Sequence, residues 1–173
     1  KLNKNTTVVC FSDHGEDLEG WYKNDKAGKK LGHPEESGHG CLLCDQTQKV
    51  LFVIKDKDLP KNKSISQQAR LVDVAPTILD LAGVKPPTSM QGMSFRPLLA
   101  GEKPAWRKSF LYEYFQEKRL SQVPTIAAVR TENWKYVTYP EIEDLDELYD
   151  LTKDPIEMHN LANDPAAKGQ LEK

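Results

Sequence analysis

The chain has 173 residues, with 24 lysines and arginines against 26 aspartates and glutamates and a formal net charge of −2. That length is enough for a domain of ordinary size with a real core, and the near balance of charge argues against nucleic acid or an anionic membrane surface as the main partner. No apolar stretch approaches the roughly 18 residues needed to span a bilayer.

The opening residues, Lys1 to Asn5, lack the apolar core of a signal peptide, so any address is expected to be missing or removed. Thr7, Val8, Val9 and Phe11 then form a β-prone run without clean alternation. This pattern predicts a strand buried on both faces, as in parallel sheets. The run ends in Asp13, His14 and Gly15. Ligands of such sheets sit beyond the carboxyl ends of the strands, and a glycine there lets the chain turn sharply. From these residues alone, a binding site and a plain polar turn both remain open.

Residues 17–37 read as a long polar loop, a length that is usually functional or disordered in compact domains. The loop leads to Gly38-His39-Gly40. Cys41 and Cys44 make a C-x-x-C pair beside His39, but no second pair stands at zinc-finger spacing, and a structural zinc site is not expected. Val50 to Ile54 is a second apolar run of strand length.

Between Ile65 and Ala82 the apolar positions Leu71, Val74, Ala75, Ile78, Leu79 and Ala82 have helical spacing. Asp73 is the expected N-cap, Pro76 fits the first turn and Gly83 is the expected stop. Proline and glycine punctuate residues 85–107. The texture then changes to short β-prone runs, Phe110 to Phe115, Thr125 to Arg130, Trp134 to Tyr139 and Glu147 to Leu151. Asn133 sits at a tight hairpin junction, a small antiparallel sheet is expected, and Asp164-Pro165 opens a terminal helix.

In order along the chain, these landmarks resemble the sulfatase family of the alkaline-phosphatase superfamily, specifically its C-terminal part. They are Ser12-Asp13-His14-Gly15-Glu16; Gly38-His39-Gly40 with Leu43, Asp45 and the strand Val50 to Ile54; and Leu71-Val72-Asp73-Val74-Ala75-Pro76-Thr77 through Gly83. Met90-Gln91-Gly92-Met93-Ser94, Ala128-Val129-Arg130-Thr131, Trp134-Lys135-Tyr136, Glu147-Leu148-Tyr149-Asp150-Leu151 and Asn160-Leu161-Ala162 follow. The stretch from Tyr112-Glu113-Tyr114 to Trp134-Lys135-Tyr136 resembles members acting on sulfated sugars, notably N-acetylglucosamine-6-sulfatases.

The resemblance implies an α/β fold, the C-terminal portion of an alkaline-phosphatase-like sandwich with a small C-terminal antiparallel sheet plus helix. Residues 1–107 are then the end of the main domain and 108–173 a small subdomain. It implies hydrolysis of sulfate esters, on glycans among other substrates, at a divalent metal. Calcium comes first, with manganese, iron or zinc as alternatives because an imidazole ligand suits them better. By the same likeness Asp13 and His14 are the metal pair, His39 contacts the sulfate, and Arg130 with the small sheet shapes the cleft or packs on the main domain. A periplasmic, lysosomal or secreted location is favoured by resemblance alone.

The family's nucleophile motif, C/S-x-P-S-R, which becomes formylglycine, occurs nowhere in this sequence. Nor does the N-terminal aspartate pair that completes the metal site. The expectation is a C-terminal fragment that is inactive alone and whose partner is the N-terminal part of the same domain. Two other readings stay open: a phosphodiesterase, phosphonate monoester hydrolase or phosphoethanolamine transferase of the same superfamily, and a non-catalytic interaction module.

Overall fold

A computed structural model describes residues 5–16, 43–120 and 123–171. The chain divides into two compact units, Lys1–Asp13 with Leu51–Arg107 and His14–Val50 with Lys108–Lys173.

In the first unit, strands β1 (Val8–Phe11) and β2 (Phe52–Lys55) form a two-stranded antiparallel ribbon with Val9 opposite Ile54 and Cys10 opposite Val53. The expected parallel, doubly buried strand is therefore corrected. Phe11 is 46% and Val53 51% exposed. An apolar run records that a segment is β-prone, but strand direction is set by the connection, which the run does not encode. The Phe52 and Phe95 rings form a T-shaped pair with centroids 5.2 Å apart, and Phe95 is itself buried.

A 3₁₀ turn (Leu71–Asp73) leads into helix α2 (Val74–Leu81), which buries Val74, Pro76 and Thr77. Helix α2 stops where expected: Gly83 takes φ +73°, its N–H reaches the Asp80 carbonyl, and the Val84 N–H reaches that of Leu79. Asp73 is not the side-chain cap of α2. Its carboxylate instead accepts from the N–H groups of Arg70 and Met93 and from both guanidinium nitrogens of Arg107. Burial opposes ionisation, yet these four donors hold the Asp73 carboxyl below its usual range. A short helix α3 (Arg96–Leu99) buries Leu98 beside Phe95 in sequence.

The second unit contains a four-stranded antiparallel sheet in the order β3 (Ser109–Tyr114), β4 (Ile126–Thr131), β5 (Trp134–Thr138), β6 (Glu147–Asp150). The β4–β5 hairpin falls at Asn133 as expected, with the Trp134 N–H donating to Thr131 Oγ1. One face packs Ile126, Ala128, Val137 and Tyr139 against Leu43, Val123 and Leu145. Asp164 caps the terminal turn through Ala166 N, and helix α4 (Lys168–Leu171) follows. Among the described residues no helix is long and apolar enough to cross a membrane.

Candidate functional site

Asp13 lies two residues past the end of β1 and is exposed, in the first unit. His14 opens the second unit and is half-buried, with its Nδ1 2.8 Å from the Gly15 carbonyl oxygen. A carbonyl can only accept, so Nδ1 carries the proton and the lone pair of the neutral ring is on Nε2, the arrangement in which imidazole ligates a metal. His39 and Cys41 lie outside the described residues.

Gly15 shows why a glycine follows the histidine. A Cβ at that position would stand 1.9 Å from the Gln46 carbonyl oxygen, and the Gly15 N–H donates to the Thr47 carbonyl at 2.8 Å. The backbone of His14-Gly15 is thus laid directly on helix α1 (Asp45–Gln48).

Helix α1 is anchored by a buried ion cluster within the same unit. Lys135, on β5 and 3% exposed, points inward with Val137. Its ammonium donates to the Leu43 carbonyl at 2.5 Å and to Asp45 Oδ1 at 3.0 Å, and lies 2.5 Å from Glu157 Oε1. Glu157 Oε2 accepts the Asp45 N–H at 3.2 Å, while Arg130 and Lys49 reach Asp45 Oδ2 at 3.2 and 2.8 Å. Arg130 thus works inside the small-sheet unit. Burial opposes the ionisation of Asp45, yet Lys135, Lys49 and Arg130 hold its carboxyl well below the usual range. Burial, reinforced by Asp45 and opposed by Lys135, pushes Glu157 up to about 7. Among the described residues Lys135 is the buried lysine, and it is shared by two carboxylates.

Sequence reasoning used Asp45 and Lys135 only as landmarks and passed over Glu157. The period-two placement of Lys135 with Val137 and Tyr139 was the available signal: a lysine in register with two buried residues needs an internal partner.

A metal at this site is tested by the donor set. One carboxylate and one imidazole suit manganese, iron or zinc and are compatible with calcium supplemented by oxygen ligands. Among the described residues no three His, Cys, Asp or Glu side chains gather as a cage.

Fold and ordered landmarks define a sulfatase-type α/β chain. Residues 41–173 match the family of N-sulphoglucosamine sulphohydrolase, C-terminal, and the chain belongs to that family of sulfatases. It is 32% identical over 163 residues to an N-acetylglucosamine-6-O-sulfatase of Bacteroides thetaiotaomicron, covering 91% of this chain and 26% of the relative. A protein solved in complex with its substrate D-glucosamine-2-N,6-O-disulfate superposes with a TM-score of 0.76 at 29% identity, over 96% of this chain and 32% of that one. A phosphonate monoester hydrolase of Agrobacterium radiobacter superposes with a TM-score of 0.73 at 26% identity, over 96% and 33%. The chain therefore spans a third or less of these proteins.

Proposed function

We propose that this chain is the C-terminal part of a sulfatase acting on sulfated sugars, with Asp13 and His14 as metal ligands and His39 as the sulfate contact. The observation that carries the reading is the Asp13-His14-Gly15 segment just beyond β1, its glycine pressed on α1, in a chain matched to the sulfatase family over residues 41–173. The likeness to the protein solved with a disulfated glucosamine supports a sulfated sugar as substrate. The nucleophile, a formylglycine, belongs to the preceding part of the same domain, a reading supported by the share of each relative that this chain covers.

Asp13 and His14 would hold a divalent metal, calcium by preference, and that metal would supply positive charge to polarise the ester. The chain's own residues divide the remaining work. Asp13 offers an anionic oxygen, His14 offers Nε2 while its Nδ1–H donates to the Gly15 carbonyl, and His39 donates to the oxygens on which charge develops.

The residues encoded ahead of Lys1 test the assignment. A C/S-x-P-S-R segment after an aspartate pair is expected. A serine or threonine nucleophile without that segment would replace sulfate by phosphonate or phosphodiester chemistry, the second reading that the likeness to the Agrobacterium enzyme favours.

A further inference from the structure

We propose that Asp45, Lys135 and Glu157 are positioning residues for His14: their buried cluster fixes α1, and α1 fixes the backbone that carries the imidazole. This rests on the reading of His14 as a ligand only for its consequence in metal binding; the mechanical link stands on geometry alone.

The link can be followed atom by atom within one unit. Lys135 binds the Leu43 carbonyl and the Asp45 carboxylate, the residues that enter α1. Glu157 takes the Asp45 N–H, a donor of the first helical turn with no partner inside the helix. Four residues make up α1, too short a helix to persist by itself, so these tertiary bonds determine where its carbonyls point. Two of those carbonyls receive Gly15: Thr47 as hydrogen-bond acceptor, and Gln46 as the wall that excludes a Cβ. His14 adjoins Gly15, and its own Nδ1 is held by the Gly15 carbonyl. Moving α1 therefore turns the ring.

Glu157 adopts φ +60°, a conformation unfavourable for a side chain of its size. Residues kept in such conformations are over-determined by their surroundings and collect at sites where placement matters. Here the placement delivers a carboxylate into the interior, at the start of α1.

The test uses the full chain, labelled for NMR, as Lys135→Met, Glu157→Leu, which removes the acceptor of the Asp45 N–H, and the control Val137→Ala. Val137 is buried on the same strand and face as Lys135, in the apolar core with Leu43, and carries no group that bonds to Asp45 or Glu157. The readouts are hydrogen exchange at the Gly15 amide and the His14 ring resonance during a Mn²⁺ titration, with His14→Ala to assign the ring. The expected result is about tenfold faster Gly15 exchange in both cluster variants, a displaced His14 resonance before metal is added, and about tenfold more Mn²⁺ needed to broaden it. Val137→Ala should leave Gly15 exchange within about twofold. Should Lys135→Met fail to fold, Glu157→Leu, which leaves Lys135 its bonds to Asp45 and Leu43, carries the comparison. Unchanged Gly15 exchange in a folded cluster variant, or an equal change in Val137→Ala, overturns the proposal. Absence of Mn²⁺ broadening in the unsubstituted chain overturns the metal reading instead, and the Gly15 rates still decide this one.

Discussion

Arg107 grips Asp73 with both guanidinium nitrogens, Nη1 to Oδ2 at 2.6 Å and Nη2 to Oδ1 at 2.9 Å, where the aspartate is shut off from solvent. The same carboxylate ties the turn before α2 to the segment at Met93. Replacing Arg107 by leucine leaves that buried charge with two backbone donors only. A loss of roughly 3–5 kcal/mol is expected, because the partner of a buried ion is stranded. Urea unfolding measures it, and the double variant Arg107→Leu/Asp73→Asn should recover part of the loss. A single variant as stable as the parent would remove the clamp from the account of this unit.

Gly92 and Gly83 separate two reasons for glycine. A Cβ on Gly92 would stand 2.0 Å from the Val72 carbonyl oxygen and 3.0 Å from Asp73 Cα, both backbone atoms that cannot swing aside. At Gly83 nothing lies within 4 Å, and only its φ of +73° resists a side chain. Gly92→Ala is therefore expected at or above the roughly 1–3 kcal/mol of an overpacked core, and Gly83→Ala at about 1–2 kcal/mol. Paired denaturation curves give the order, and the reverse order would refute the close approach at Gly92.

These two positions also show how far the sequence could be read. Gly83 was legible because helical spacing ends beside it and a left-handed stop needs no distant partner. The four sheet runs and the Asp164-Pro165 start were legible for the same reason, since period and turn chemistry are local. Asp73 does stand at the N-cap position of α2, but its side chain turns to Arg107, far along the chain, and that partner was not legible. The antiparallel pairing of Val9 with Ile54 was missed because apolar continuity carries no direction. Glu157 left no mark at all: a glutamate between Ile156 and Met158 looks exposed until Lys135 and the Asp45 N–H are seen around it.

The ion cluster should imprint itself on stability as a function of pH. Glu157 has its folded value raised from 4.5 to about 7, so the fold prefers it protonated. Its contribution is complete below the ordinary value and disappears as pH rises through the raised one. Asp45 has the opposite sign: its value is lowered from 3.8, so its contribution is present above that pH and is lost as pH falls below it. Relative to Glu157→Gln, the unsubstituted chain should therefore lose stability between about pH 4.5 and 7, at no more than about 1.4 kcal/mol per pH unit. Denaturant unfolding of both proteins across that range checks it. Parallel curves would mean that Glu157 keeps its ordinary affinity for protons.

Activity of the chain by itself gives the last prediction. Under the sulfatase reading, the metal pair and the sulfate-contacting histidine stabilise charge, but no bond to sulfur forms without a nucleophile, and C/S-x-P-S-R is absent from the sequence. Charge stabilisation at a site with no attacking group leaves the slow uncatalysed reaction with water. The purified chain, given an aryl sulfate and calcium, should therefore turn over no faster than His14→Ala. Adding metal should still raise the melting temperature of the unsubstituted chain and not that of Asp13→Ala/His14→Ala, because binding to the folded state alone stabilises it. Turnover above the His14→Ala control would place a reactive group inside these 173 residues and overturn the division of the active site between two parts of one domain.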